Sequence, residues 1–455
     1  MQDASDSSRS TLGFLPPIAA VAPWQRLRAM LGRRPFLKNV SIMLTGAAAG
    51  QTVSLVLSPI LTRIYAPEQV GILSVYSALL TIFVVIASLR FELAVPLVVS
   101  DEDAINLVAV CICTLVLTTA LMAVVAFTFP EKTLEGIWPT PINAWHVAVY
   151  RGLLVLGFLC LGGYYVALYL ATRQGAFPSI SLTRFYQGIV GPLSQIGLGA
   201  AGAGAPGLLF GSILGQSTGT LTLFHRVLRS RRDLLSAISL RRMVALARRY
   251  RRFPLIASWA ALIDAAGGDQ LLYMMVTTQY SARIAGFIFL AERIVARPLS
   301  LVGTSILQVF MGEAGKTVTS DPSHFRRRFY QVISRQFLLA VAWVGVTNVA
   351  AALLFSTVFG TRWGDAVIYL QAMSIGYLAH AVVLPVFHTL QLLEKQTMAA
   401  CWQVGRLLLI VATFAFCIGD NVSAPNAILL YSGIQAVSSV VLLGLMTVAI
   451  RHLQR

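Results

Sequence analysis

The chain has 455 residues, 57% of them apolar and only 12% charged, against roughly 25% charged residues in soluble domains. Half of the usual water-facing charge is missing, and a mean hydropathy of +0.75 points to lipid as the solvent. In a soluble protein the net charge of +17 would suggest nucleic acid; in a membrane protein it asks where the charges sit.

Residues 1–37 read as a cytoplasmic tail. It is Ser-rich, passes Pro16-Pro17, and becomes basic from Trp24 to Arg34. The apolar part, Gly13 to Pro23, is broken by proline and followed by basic residues, the wrong order for a cleaved signal peptide. Arg26, Arg28, Arg33 and Arg34 suit contact with anionic lipid.

A membrane helix needs about twenty apolar residues. Such runs stand at 40–62, 70–89, 104–128, 147–170, 179–200, 205–224, 254–277, 284–310, 337–359, 366–391, 398–419 and 427–450. The breaks between them carry turn chemistry, as in Ala66-Pro67-Glu68, Phe129-Pro130 and Gly419-Asp420-Asn421. Barrel strands would be about half as long and alternate in polarity, so the expected fold is all-α and polytopic. With both termini inside, the Arg-rich segments 226–252 and 316–335 face the cytoplasm, and only Arg63, Lys132, Arg151, Arg283 and Arg362 face outward. The high charge then follows from the topology, and no nucleic-acid partner is called for.

The basic linker 226–252 divides the chain into an N-lobe, 38–225, and a C-lobe, 253–455, of six spans each. An even number per half implies parallel repeats. Tyr65-Ala-Pro-Glu-Gln-Val-Gly71 and Tyr280-Ser-Ala-Arg-Ile-Ala-Gly286 keep one Tyr-to-Gly spacing, each linking the first two spans of its half.

Other features are bland. Cys111, Cys113, Cys160, Cys401 and Cys417 all lie in apolar runs without the spacing of a metal or disulfide framework. Gly197-Leu-Gly-Ala-Ala-Gly202 ends a span and lacks the acid that a dinucleotide fingerprint needs. Gly315-Lys316-Thr317 has Phe310 where a phosphate loop needs its first glycine. Gly46/Gly50 and Gly211/Gly215/Gly219 are small residues spaced for close helix approach. No cofactor is implied.

Several segments carry a family resemblance. They are Lys38-Asn39-Val40, Gly50-Gln51, Ser58-Pro59-Ile60-Leu61-Thr62-Arg63-Ile64-Tyr65, Pro67-Glu68-Gln69-Val70-Gly71 and Arg90-Phe91-Glu92-Leu93-Ala94. Together they resemble the opening of the polysaccharide-biosynthesis flippases, the Wzx-type translocases of lipid-linked oligosaccharides. Gly286-Phe-Ile-Phe-Leu-Ala-Glu-Arg-Ile-Val, then Pro298 and Ser305-Ile-Leu-Gln-Val-Phe310, resemble the eighth span of that family. The resemblance covers about 38–105 and 254–312 and leads to a superfamily that also holds multidrug extruders. It implies about twelve helices in two six-helix lobes around a central cavity that opens alternately to either side. The implied substrate is an undecaprenyl-pyrophosphate-linked sugar chain. The long tail before residue 38 departs from the family's short N-terminus.

An ionisable residue within a span is costly unless it faces a cavity or a partner. Asp264 and Asp269 flank Gly267-Gly268 in the seventh span, where they read either as a proton or sodium site or as structural partners of a neighbouring arginine. In the eighth span Arg293 lies roughly 13 Å deep at ~1.5 Å per residue, and Arg297, four residues on, shares its face. Two guanidinium forks on one face suit a pyrophosphate; neutralising Asp264 or Asp269 is the alternative. Glu292 points about 100° away from Arg293 and joins the aspartates as an ion-coupling candidate. Arg90, with Glu92, ends the second span, and Arg184 stands near the inner end of the fifth; each reads as a head-group ligand or as an interface anchor. Tyr164, Tyr165 and Tyr169 suit sugar stacking or an aromatic belt. No catalytic set emerges.

The leading reading is an ion-coupled flippase serving exopolysaccharide or O-antigen assembly, with contact to a polysaccharide polymerase left open. A cation-coupled drug extruder of the same fold fits poorly with arginines inside spans. A membrane polymerase would need a long polar outer loop, and 129–146 offers only Glu131, Lys132, Glu135 and His146.

Overall fold

The computed structural model describes residues 35–128, 144–230, 236–266 and 269–452, and every regular element among them is helical. Most of the tail and the loop with Glu131, Lys132 and Glu135 lie outside the described residues.

The first span is α1 (Pro35–Val56) continued by α2 (Ser58–Ile64); α3 (Pro67–Val84), α4 (Asp101–Thr128), α5 (Ala144–Arg173) and α6 (Phe177–Ala200) follow. The sixth is split into α7 (Gly204–Ser217) and α8 (Thr220–Ser230) at Gly219, whose φ of +84° only glycine takes without strain. The amphipathic α9 (Leu240–Arg249) leads to α10 (Ser258–Ala266) and α11 (Asp269–Gln279) of the seventh span. The eighth runs as α12 (Ala282–Ala291), a π-turn over Glu292–Ala296, and α13 (Arg297–Ser320). The last four are α14 (Pro322–Phe359), α15 (Ala366–Val383, extended to Leu392), α16 (Gln396–Gly419) and α17 (Ala424–His452). Nine of these stretches are long and apolar enough to cross a membrane, counted among the described residues. The sixth and seventh are split, and α6 is diluted by Arg184, Gln187 and Gln195.

Two six-helix lobes result. In the first, α1 packs on α6, α6 on α7, and α5 on both α4 and α7; in the second, α15 packs on α14, α12 and α17, and α16 on α17. With lipid on the outside, backbone proximity rather than hydrophobic burial joins such helices. A Cβ at Gly46 would stand 2.2 Å from the Ser181 carbonyl oxygen, and one at Gly215 would stand 2.5 Å from Gly191 Cα.

The second span ends earlier than its apolar run. After Val84 the chain turns through Leu89 (φ +52°) and Arg90 (φ +62°) into a 3-10 segment, Phe91–Leu97. Left-handed conformation costs roughly 1–2 kcal/mol for each L-residue, so this turn is held by its surroundings. Phe91 and Glu92 are buried, Ser88 Oγ donates to Glu92, and Thr118 Oγ1 donates to the Ala87 carbonyl at 2.6 Å.

The two lobes meet tightly at the end bearing Tyr65 and Tyr280. A Cβ on Gly71 would stand 1.8 Å from the Ala282 carbonyl oxygen, and one on Gly286 would stand 2.0 Å from that of Pro67. Each glycine thus faces the backbone oxygen four residues before the other. Arg283 reaches Glu68 (3.8 Å) and Asp365 (3.7 Å), and the fully buried Trp363 donates to the Thr62 carbonyl at 2.9 Å. The Tyr65 hydroxyl donates to the Gln195 carbonyl (2.7 Å) and that of Tyr280 to the Val422 carbonyl (3.0 Å), tying each tyrosine to its own lobe.

Candidate functional site, a cationic cavity between the lobes

A cavity of about 550 Å³ lies between α1, α3, α5, α6 and α7 of the first lobe and the eighth span of the second. Arg184, Arg293 and Arg297 all line it, with Gln51, Ser54 and Tyr165 among the other polar side chains. Gln51 and Ser54 stand three apart on α1 and so share a face.

Arg293 crosses to the other lobe. Its Nη2 donates to the carbonyl of Ser54 at 3.0 Å and to Ser54 Oγ at 2.6 Å. Arg293 Nε and Gln51 Nε2 are buried without a hydrogen-bond partner among the described residues. Arg297 is held differently: its Nε donates to Glu292 Oε1 at 3.2 Å, and its guanidinium lies 5.0 Å from the Phe289 ring centre. The Tyr273 hydroxyl donates to the other carboxylate oxygen of Glu292. Regular helical spacing would turn Glu292 about 100° away from Arg293. The π-turn over 292–296 inserts one residue into the turn, which brings position 297 beside 292.

Among the described residues no carboxylate pairs with Arg184 or Arg293, so the cavity wall carries more positive charge and more donors than its acceptors satisfy. Unpaired cations in a low-dielectric wall favour an anion, and guanidinium forks favour one with paired oxygens.

The other sequence candidates fall elsewhere. Arg90 caps the 3-10 segment, 3.9 Å from Glu92, and is not among the residues lining this cavity. Tyr164 and Tyr165 line it and Tyr169 does not. The side chains of Asp264 and Asp269 lie outside the described residues. A second cavity of about 430 Å³ in the other lobe is lined by Gln270, Glu292, His380 and Arg406, and Arg297 belongs to both. Gln51, Ser54 and Tyr273 join the site without having been candidates for it from the sequence. The signal was available for the first two, as a polar pair at helical spacing inside an apolar run.

Among the solved structures that share this architecture are three transporters. A multidrug resistance MATE family transporter of the MOP superfamily in an inward-facing conformation matches with a TM-score of 0.61 and 15% identity, over 91% of this chain and 95% of its own. An outward-facing MATE family transporter gives 0.54 and 13%, over 92% and 97%. A MOP superfamily transporter from Pyrococcus furiosus, described as having a binding pocket of reversed polarity that suggests a different function, gives 0.56 and 14%, over 92% and 97%. No curated protein matches by sequence. Residues 60–368 match the polysaccharide biosynthesis protein family. With that match over most of its length, this multi-pass chain with the two-lobe transporter fold belongs to the polysaccharide biosynthesis protein family.

Proposed function

We propose that the protein is a flippase that carries an undecaprenyl-pyrophosphate-linked oligosaccharide from the cytoplasmic to the periplasmic leaflet of a bacterial inner membrane. The observation that carries this reading is the cavity wall in which Arg184 of one lobe and Arg293 and Arg297 of the other converge. A pyrophosphate supplies the paired anionic oxygens that such forks bind, and a drug cation would be repelled. Membership in a polysaccharide biosynthesis family supports a glycan cargo.

In this mechanism both termini are cytoplasmic and the lobes 38–225 and 253–455 rock about the cavity. Arg90, at the inner interface, meets the head group first. The pyrophosphate then takes Arg293 from Ser54, exchanging a tie between the lobes for a bond to cargo. Binding thereby loosens the contact that the conformational change must break. The polyprenyl chain stays in lipid, and Tyr164 and Tyr165 stack on the sugars. A proton or sodium ion held by Asp264, Asp269 or Glu292 resets the cycle, and the product passes to a polysaccharide polymerase.

The test is complementation of a flippase-deficient strain making the cognate glycan, scored by lipid-linked oligosaccharide accumulating on the inner leaflet. Wild type clears the accumulation, and Arg293→Ala, Arg297→Ala and Arg184→Ala at equal membrane levels do not. Normal clearance by all three variants removes the arginines from the mechanism. Failure of wild type brings the drug-extruder reading forward.

A further inference from the structure

The lobe formed by the last six spans bears a groove of about 1140 Å³ that shares no lining residue with either cavity. It lies where α14 meets the tenth span and α17, which contribute Val382 and Leu443 to its floor. Along α14 its lining changes character. Ser323, Arg326, Arg327 and Tyr330 come first, and Ile333, Phe337 and Leu338 follow. Arg326 and Arg327 are exposed, as are Tyr330 (43%), Phe337 (47%) and Leu338 (68%).

The helix length explains the gradient. α14 has 38 residues and at ~1.5 Å per residue is roughly 57 Å long, far longer than a hydrocarbon core of about 30 Å. Its apolar part runs from Phe337 to Phe359, so the turns before Phe337 pass through the head-group layer and on toward the cytoplasm. Arg327 and Leu338 are then about 16 Å apart along the axis, a gap that an arginine side chain extended toward the membrane and a phosphoglycerol head group span together. Among the described residues no carboxylate pairs with Arg327, and the Asp321 carboxylate accepts from His324 N and Ser323 Oγ at the helix start. A basic mouth above an apolar floor between spans is complementary to a lipid with a negative head.

From this groove we infer a binding site for a resident acidic phospholipid of the cytoplasmic leaflet, its phosphate on Arg326 and Arg327 and its acyl chains along Phe337, Leu338, Val382 and Leu443. The site goes beyond the transport reading, because the lipid that occupies it is a structural ligand of the lobe and not the cargo. It uses only the inward placement of the α14 start.

Native mass spectrometry of the full-length, delipidated protein tests it, with phosphatidylglycerol and phosphatidylcholine of identical chains as probes and no transport substrate present. Wild type retains phosphatidylglycerol preferentially. The Arg326→Ala/Arg327→Ala variant loses about 30-fold of that affinity, from roughly 1 kcal/mol for each arginine near an anionic surface. Its melting temperature in phosphatidylcholine nanodiscs stays that of wild type. Phe337→Ala/Leu338→Ala weakens both lipids alike. Equal retention of the two lipids by wild type overturns the inference, as does an undiminished preference in the double-arginine variant. Loss of a wild-type dimer on either double substitution would assign the groove to a second copy of the chain instead. Because no cargo is used, each result is independent of whether the protein flips a glycan.

Discussion

Arg293 of one lobe donates to both oxygens of Ser54 in the other, so a cavity arginine doubles as a bond between the lobes. Ligand and Ser54 compete for one guanidinium. Ser54→Ala removes the side-chain acceptor and leaves the carbonyl. A hydrogen bond to a charged group is worth about 1.5–3 kcal/mol, so pyrophosphate binding is expected to tighten by roughly tenfold or more. Isothermal titration of the purified protein with inorganic pyrophosphate measures this. Unchanged affinity in Ser54→Ala, with loss in Arg293→Ala, would mean that ligand leaves the Ser54 bond intact.

Glu292 holds Arg297 with help from Tyr273. Glu292→Gln cancels the only carboxylate paired with a cavity arginine among the described residues, so anion affinity should rise while the protein loses stability. Removing one partner of a buried pair costs about 3–5 kcal/mol; Arg297 is 36% exposed, so roughly a third of that is expected here. Tyr273→Phe leaves the charge and removes a donor that partly neutralises it, so anion affinity should not rise. Titration with pyrophosphate beside thermal denaturation separates the two effects, and a fall in anion affinity for Glu292→Gln would contradict the assignment.

The spans were legible in the sequence because lipid imposes one rule on all of them, a long apolar run closed by turn residues. Arg293 and Arg297 were legible as cavity candidates because burying a charge in a span needs a reason. The relation of Glu292 to Arg297 was not, because a π-turn leaves no mark in hydrophobic spacing and shifts every later residue by one position. The end of the second span was equally hidden. Ile86, Ala87 and Leu89 are apolar, and only tertiary contacts turn them out of the helix. Arg184 read more readily as an interface anchor, since its distance along α6 cannot reveal which neighbours surround it.

Gly71→Ala and Gly286→Ala each insert a methyl where a carbonyl oxygen already stands. Overpacking of this kind costs typically about 1–3 kcal/mol, all of it in the state in which the lobes touch. Each variant should therefore favour separation at this end. With the five native cysteines replaced by alanine, Thr62→Cys, buried in wild type, should react with a maleimide several-fold faster in either glycine variant. Equal rates would show that the contact yields without opening.

Asp321 begins α14, and its carboxylate accepts from His324 N at 3.0 Å and from Ser323 Oγ at 2.7 Å. The backbone bond from His324, then the Ser323 hydroxyl, hold its carboxyl below the usual range. A depressed value in the folded state means that the cap is fully effective above the unfolded value of about 3.9 and fails as pH falls through the folded one. Hydrogen exchange at Ser323–Phe325 should be protected at neutral pH and lose protection below about pH 4. Asp321→Asn should keep most of the protection and make it independent of acid.

The contact between Gly71 and Gly286 is reciprocal, each side offering a glycine and a backbone oxygen four residues before it. Such an arrangement is what a two-fold axis produces between identical surfaces. A six-helix unit bearing one Tyr-to-Gly motif already has everything this surface requires to pair with itself. At this end the two lobes therefore meet as two copies of one surface would, although the cavity below takes Arg184 from one and Arg293 and Arg297 from the other.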